Sequence, residues 1–267
     1  RFPDADRRRM NMKFASRCQQ GMRDENQDRT GAEVDEQKAC FLVCDGVAGL
    51  PGGDYAAQLV RDTLLTQLQQ NDTFTPESTR AAIEKCQQTL VSAQGNNPNF
   101  SRMSTTLAAL FIDRTTQRAW WAHAGDSRVY HFRHGVLHQV TRDHSLAQQL
   151  REAGYENTGI NSNLLYNALG IEPARPATFS EVIELTDGDA FLVCTDGFWL
   201  NLTTDEMEQA LRMVNACEEW LALMEQAVNR SVKSDNLSAL AIWIGEPQDA
   251  TLLYSQADAA RFLPSRY

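Results

Sequence analysis

Two short apolar stretches that each run into Asp-Gly constrain this chain more than any other feature of its sequence. The same four residues, Phe-Leu-Val-Cys, occupy 41–44 and 191–194, and the aspartates that follow are Asp45 and Asp196. A short apolar run that stops at a turn signal is typical of a strand buried on both faces. An aspartate at the end of such a strand is held rigidly and still reaches solvent, and the following glycine lets the backbone turn sharply.

Two such strand ends side by side would gather the hard oxygen ligands that suit Mg²⁺ or Mn²⁺. The alternative is that both Asp-Gly pairs are hairpin turns, which is the better interpretation of either pair alone. The rest of the chain favours a metal site, because five aspartates are expected at strand ends or in adjoining turns. They are Asp28, Asp45, Asp126, Asp196 and Asp235. A two-metal site needs one bridging carboxylate and a few flanking oxygens, which this set would supply.

Composition narrows the class of protein. The 267 residues suffice for one large domain, and 42% apolar with 22% charged residues is ordinary for a soluble globular protein. The formal net charge of −10 argues against nucleic acid or an anionic membrane as the main partner and fits a protein that gathers carboxylates for a cation. No apolar run is long enough to span a membrane.

The cysteines indicate a reducing compartment. None forms a C-x-x-C pair, which argues against structural zinc, and two of them fall in the apolar strands, where free cysteine acts as a small hydrophobe. The six are Cys18, Cys40, Cys44, Cys86, Cys194 and Cys217. We therefore expect a cytoplasmic protein with reduced thiols.

The order of helices and strands predicts an α+β fold. Helical spacing predicts one helix capped by Asp54 and a second that runs from a Thr75 cap to about Gly95. Many strands follow, which is not the alternating βαβ pattern. The strands are expected at 12–18, 107–112, 119–124, 129–132, 137–140, 178–185 and 237–244, besides the two apolar runs.

The connections complete this prediction. Residues 21–28 and 154–163 are expected to be polar loops, the second a surface flap, and 125–127 and 187–189 to be hairpin turns. A short helix is expected over 144–153, with Asp143 as a capping residue. Thr203 and Glu206 form a capping box for a further helix. We predict a single domain at 12–245 with peripheral tails at 1–11 and 246–267.

A series of motifs gives the chain a resemblance to a known family. In order they are Arg23 with Asn26-Gln27-Asp28, Val43-Cys44-Asp45-Gly46 with Gly49, Ser104-Thr105-Thr106-Leu107, Ala124-Gly125-Asp126-Ser127-Arg128, Thr141-Arg142-Asp143-His144-Ser145, Ala168-Leu169-Gly170, Thr195-Asp196-Gly197 and Ser234-Asp235-Asn236. Each motif alone is weak, but their collinear order is highly specific. The sequence resembles the metal-dependent Ser/Thr protein phosphatases of the PPM family, type 2C, in their small bacterial form.

The resemblance implies a four-layer α/β/β/α sandwich with two central antiparallel sheets. It implies that Asp45 bridges two Mn²⁺ or Mg²⁺ ions, that the Gly46 carbonyl joins the second ion, and that Gln27 contacts that ion through water. Two further aspartates, Asp196 and Asp235, would bind the first ion.

The remaining implied roles concern the substrate and a third ion. Arg23 would hold the substrate phosphate, and its planar fork suits that task. Asp28 would orient metal-bound water from behind the ligands. Asp126 would share a third, weaker ion with Asp196. Metal-bound hydroxide would attack phosphoserine or phosphothreonine directly, with phosphorylated proteins as partners, no nucleic acid or membrane, a monomeric state, and a bacterial Ser/Thr kinase as the opposing enzyme.

Some positions depart from the family pattern. Val47 and Ala48 replace a common Met-Gly pair, Ser104 replaces Gly, and Asn167 replaces Arg, which leaves substrate specificity open. His123, His131, His134 and the pair Thr105-Thr106 are interpreted as structural, His144 as part of a structural loop, and Arg128 as an ion-pair partner. Two alternatives to a phosphatase are a pseudophosphatase, which keeps the fold as a binding module, and a two-metal nuclease. The intact aspartates argue against the first, and the acidic balance of charge argues against the second.

Overall fold

The computed structural model describes residues 11–156, 164–229 and 235–247, and within these ranges the strands form two antiparallel sheets. The strands are β1 Met12–Gln19, β2 Asp28–Val34, β3 Lys38–Asp45, β4 Leu107–Asp113, β5 Arg118–Ala124, β6 Arg128–Arg133, β7 Val136–Val140, β8 Thr178–Phe179, β9 Ile183–Glu184, β10 Asp189–Cys194 and β11 Leu237–Ile244. One sheet has the order β1-β11-β10-β6-β7. The other has the order β2-β3-β4-β5-β8, and β9 also pairs with β5.

Helices cover the outer face of each sheet. They are α1 Gly53–Gln70, α2 Pro76–Asn96, α3 Leu146–Glu152, α4 Asp196–Trp199, α5 Thr204–Met213 and α6 Cys217–Val228. The pair α1 and α2 packs on the sheet that contains β3, and α5 and α6 pack on the sheet that contains β10. The predicted four-layer α/β/β/α sandwich is therefore confirmed. In the described ranges, none of these helices has the length and apolar character needed to cross a membrane.

Both apolar runs lie at the centre of the sandwich. Phe41 and Phe191 face the layer between the sheets, whereas the next residues along each strand, Leu42 and Leu192, face the helices. Side chains alternate between the two faces of a strand. A strand covered on both faces therefore needs apolar residues at every position, which explains the continuous runs.

The connections correct the hairpin expectations. Asp45-Gly46 leads into a loop and then α1, and Asp196-Gly197 begins α4, so neither pair is a hairpin turn. The turn 125–127 was expected to be a hairpin, but β5 and β6 belong to different sheets, so this turn crosses from one sheet to the other. The turn 187–189 also links two sheets, because β9 pairs with β5 and β10 does not. A turn signal in the sequence predicts that the chain reverses direction. It does not predict which strand the next strand pairs with.

The helix caps were predicted with mixed success. Thr75 and Thr203 form the expected caps, the first in a reciprocal pair with Ser78. The helix α1 instead begins after Gly52, whose φ of 89° is left-handed, and Asp54 lies within the first turn without capping it. Its carboxylate is still favourably placed near the positive end of the helix dipole. The prediction that Asp143 caps this short helix is also wrong, because Ser145 caps α3.

Part of the sequence prediction lies outside the described residues. This holds for the tails at 1–11 and 246–267 except for residues 11, 246 and 247, and for the flap at 154–163 except for 154–156. The division into one domain and two tails stays a prediction.

Candidate metal centre

A cleft of about 350 Å³ opens at the end of the sandwich where β3 and β10 finish. Its lining brings together residues that are far apart in the sequence. The polar ones include Arg23, Gln27, Asp45, Asp126, Asp196 and Asp235. Val47 and Ala48 also line the cleft, so two of the departures from the family pattern lie within it.

Asp28 lies beside this cleft, opposite Asp45 in the pairing of β2 with β3. Its side chain is only 1% exposed. Its Oδ2 accepts hydrogen bonds from Thr195 Oγ1 at 3.0 Å and from Ser238 Oγ at 2.8 Å. Its Oδ1 is buried and has no hydrogen-bond partner. A buried carboxylate oxygen without a donor is costly, so this atom is suited to a bound water or ion.

Hydrogen bonds of Thr106 connect Asp45 to the turn that carries Asp126. The Asp45 amide donates to Thr106 Oγ1 at 3.0 Å, and the Thr106 amide donates to the Asp45 carbonyl at 2.9 Å. The same hydroxyl lies 2.6 Å from Ser127 Oγ. Thr106 is thus buried and structural, as expected, and it also fixes two candidate ligands relative to each other.

The glycine after each strand-end aspartate is required by close backbone contacts. A Cβ at Gly46 would collide with the carbonyl of Gly53 at the start of α1. A Cβ at Gly197 would collide with the carbonyl of Asn236. These contacts bring the Asp45 and Asp196 loops within van der Waals distance of neighbouring backbone, which fixes the aspartates before them.

Arg23 and Asp235 form an ion pair at the rim of the cleft. Arg23 Nε lies 2.9 Å from Asp235 Oδ1, and 55% of the Arg23 side chain is exposed. The loop beneath is held by Asn236, whose Oδ1 accepts from the Gln27 amide at 3.1 Å and whose Nδ2 donates to the carbonyls of Gln20 and Glu25. A guanidinium has five N–H donors, so this pairing leaves Arg23 with donors for a second anion.

The cleft carboxylates disfavour one another's charge. Burial, followed by the charges of Asp28 and Asp196, raises the pKa of Asp45 well above its usual value. Burial and the charge of Asp196 likewise raise the pKa of Asp126. Burial raises the pKa of Asp28 to about 6. Clustered carboxylates with raised pKa values are typical of functional sites, and a cation between them would offset the repulsion.

The donor set fits a hard divalent cation. It is anionic, made of oxygen, and partly desolvated, as Mg²⁺ and Mn²⁺ prefer. Among the described side chains, no three His, Cys, Asp or Glu groups are arranged ready to enclose one ion. A closed ligand set would therefore need rotations of these carboxylates within the cleft, starting with Asp235, which is paired with Arg23.

Sequence reasoning identified most residues of this cleft and missed several that support it. The structure gathers the predicted Arg23, Asp45, Gly46, Asp126, Asp196 and Asp235 around one cavity, with Asp28 directly behind. The missed contacts are those of Thr195 and Ser238 with Asp28 and that of Trp199 with Asp126, although Thr195 itself belongs to one of the motifs. The signal for the first two was weak, because each is a small hydroxyl residue next to a strand end.

Comparison with known proteins gives matches over most of the chain. The family described as Protein phosphatase 2C matches residues 16–240. The serine/threonine phosphatase stp of Listeria monocytogenes serovar 1/2a is 26% identical over 236 residues, which cover 83% of this chain and 91% of that protein.

Two solved structures share the architecture. The catalytic domain of the serine/threonine protein phosphatase PstP, in complex with two manganese ions, is 25% identical with a TM-score of 0.75, and the match covers 89% of this chain and 100% of that one. PppA of Pseudomonas aeruginosa, described as a key regulatory component of a type VI secretion system (T6SS), is 25% identical with a TM-score of 0.71, and the match covers 87% of this chain and 97% of that one.

Proposed function

The chain belongs to the protein phosphatase 2C family, and on that premise we propose that it is a metal-dependent protein phosphatase acting on phosphoserine and phosphothreonine. The observation that carries the proposal is the cleft in which four carboxylates and one arginine converge, from segments spread over most of the matched residues. In the described residues, Asp45, Asp196 and Asp235 are all present at this cleft, which favours an enzyme over a binding module that has lost its activity.

The carboxylates would hold the cations, and each has a distinct position for this. Asp45 is paired with Asp28 across β2 and β3 and shares the cleft with Asp196, and the charges of both act on it, so it is suited to bridge two ions. Asp196 and Asp235 would hold the first ion, and the Gly46 carbonyl would face the second, with Gln27 contacting it through water. Two divalent cations bound there would generate a nucleophile from water at neutral pH and neutralise charge on the phosphoryl oxygens.

The chain's own residues would orient the substrate and the attacking water. Arg23 lies at the rim with most of its donors unused by Asp235, so it is placed to bind two phosphoryl oxygens. Asp28, held by the hydroxyls of Thr195 and Ser238, would accept a hydrogen bond from water on its free Oδ1. Val47 and Ala48 would contact the residues that flank the phosphorylated one.

The finer assignments concern the ions, the compartment and the partners. We propose Mn²⁺ as one effective ion, because PstP was solved with two manganese ions, with Mg²⁺ as the alternative and a weaker third ion between Asp126 and Asp196. A reducing, cytoplasmic setting is supported by six free cysteines, all within the described residues. A bacterial Ser/Thr kinase as the opposing enzyme and a monomeric state complete the proposal.

The direct test is hydrolysis of a synthetic phosphothreonine peptide and a matched phosphotyrosine peptide. We expect release of phosphate from the phosphothreonine peptide in Mn²⁺, no release in EDTA, and little release from phosphotyrosine. Metal binding without hydrolysis in Mn²⁺ or in Mg²⁺ would indicate a pseudophosphatase instead. Cleavage of a nucleic-acid probe, with no action on the phosphopeptide, would indicate a nuclease.

A further inference from the structure

The indole of Trp199 makes a contact that joins two of the candidate ligands. Trp199 is the last residue of α4, the one-turn helix that Asp196 begins. Its Nε1 donates a hydrogen bond to the backbone carbonyl of Asp126 at 2.8 Å. The two aspartates come from different connections, one after β10 and one between β5 and β6, and this bond ties one connection to the other.

Arg128 holds the Trp199 ring from its face. The guanidinium carbon of Arg128 lies 3.3 Å from the centre of the indole ring, which is a close cation–π contact. The same guanidinium makes two hydrogen bonds to the Asp143 carboxylate, at 2.8 Å and 2.7 Å. The planar fork and the stacked ring together restrict the rotation of Trp199, so the direction of its N–H is fixed.

The other side of the same turn is held by His144. The Gly125 amide donates to His144 Nδ1 at 3.1 Å, and the His144 amide donates to the Gly125 carbonyl at 2.9 Å. Ser127, on the far side of Asp126, contacts Thr106 as described above. The backbone is therefore anchored before and after Asp126, and the bond from Trp199 acts on the Asp126 peptide itself.

We propose that Trp199 is a positioning residue that sets the spacing of Asp126 and Asp196 for the weaker third ion. The inference rests on the proposed function, since it concerns an ion of the same centre. Asp126 and Asp196 repel each other, and an ion shared by them binds well only if the two carboxylates are kept close against that repulsion. The indole bond supplies such a constraint, because α4 is too short to move at one end without moving at the other.

The competing explanation for Trp199 is that it only packs against the apolar layer. A packing role and a positioning role predict different effects of substitution. Trp199 is half-buried and packs on the apolar layer beneath α5 and α6. Phenylalanine would keep the ring, the packing and most of the stacking on Arg128, but it has no N–H to donate. Trp199→Phe therefore removes the proposed constraint and little else.

Trp220→Phe is the matched control. Trp220 is fully buried in the same apolar layer, and its Nε1 donates to the Met207 carbonyl at 3.1 Å. This substitution removes the same type of hydrogen bond away from the cleft. We expect it to lower stability without changing the affinity for any of the three ions.

The measurement is calorimetric titration of Mn²⁺ into the metal-free full chain. We expect Trp199→Phe to lower the affinity for the third ion by about two- to tenfold. This range corresponds to the net contribution of one hydrogen bond. The two tighter ions should bind as in the wild type. Turnover at limiting Mn²⁺ should fall in parallel and be restored by raising the Mn²⁺ concentration, which would not rescue a folding defect.

A wild-type readout keeps the inference testable if Trp199→Phe folds poorly. The indole N–H signal of Trp199 should shift in NMR spectra over the Mg²⁺ range that fills the weak site, while that of Trp220 stays in place. Unchanged weak-site affinity in folded Trp199→Phe, an equal loss in Trp220→Phe, or an indole signal that does not respond would each overturn the inference. A wild type that binds two ions and no third would also overturn it but leave the phosphatase intact, whereas a wild type without Mn²⁺-dependent hydrolysis would refute the proposed function itself.

Discussion

The buried carboxylate of Asp189 anchors the strand that leads to Asp196, and its removal has a calculable effect on stability. Asp189 begins β10, and its side chain is fully shielded from solvent. His131 Nε2 lies 3.0 Å from its Oδ1, and Arg133 donates to both carboxylate oxygens at 2.9 Å and 3.2 Å. The Thr186 amide donates to Oδ2 at 2.8 Å.

These contacts give the magnitude and the sign of the effect. Burial alone raises the pKa of Asp189, but the hydrogen bonds from His131 and Arg133 outweigh it and lower the pKa from 3.8 to about 2. At about 1.4 kcal/mol per pKa unit, the ionised carboxylate contributes about 2 kcal/mol to the free energy of unfolding at neutral pH. Because the folded-state pKa lies below the unfolded one, this contribution is complete above about pH 4 to 5 and is lost as the pH falls toward 2.

Urea unfolding of the wild type and Asp189→Asn in EDTA tests this prediction. We expect the variant to be less stable by about 2 kcal/mol at pH 7 and by about 1 kcal/mol at pH 3. The cleft carboxylates are the same in both proteins, so their own titration cancels from the difference. The exposed Asp72→Asn should show no comparable change. A deficit in Asp189→Asn that stays constant from pH 7 to pH 3 would refute the electrostatic reasoning and leave packing as the cause.

Three further substitutions probe the cleft. Arg23→Ala should raise KM for a phosphopeptide by about tenfold or more with a smaller fall in kcat. Unchanged steady-state constants would show that Arg23 does not bind the substrate. Asp126→Ala should abolish the weakest Mn²⁺ site in calorimetry and lower turnover on phosphopeptides. A variant that is less stable but keeps its metal binding and specific activity would show that Asp126 only stabilises the turn. Gly46→Ala should destabilise the fold by about 1–3 kcal/mol and lower activity, because its Cβ meets the Gly53 carbonyl; an unfolding midpoint equal to that of the wild type would show that the loop adjusts.

Elements with strong local signals could be predicted from the sequence. The two apolar runs, the helix α2 with its cap, and the strands β4 to β6 were found because burial on both faces or a capping pair leaves a direct trace in the residue order. The strand β2 was missed and assigned in part to a polar loop. It is a sheet edge with mostly polar residues, 28–34, so burial imposes little pattern on it.

The relations between distant segments could not be predicted from local pattern. The candidate ligands were named because their motifs occur in a family order, but the distances between them depend on which sheet each strand joins. The turn at 125–127 shows this, since its sequence indicates a reversal and only the packing reveals that it crosses between sheets. The bond from Trp199 to the Asp126 carbonyl is hidden for the same reason, because a tryptophan in a short helix signals burial and not its hydrogen-bond partner.

Mn²⁺-dependent release of phosphate by Asp45→Asn tests the central claim most directly. Asp45 is the carboxylate expected to bridge two ions, and asparagine keeps its size and removes its charge. We expect the folded variant, checked by circular dichroism, to lose nearly all Mn²⁺-dependent hydrolysis of a phosphothreonine peptide. A folded Asp45→Asn protein that retained most of its Mn²⁺-dependent activity would contradict the two-metal account.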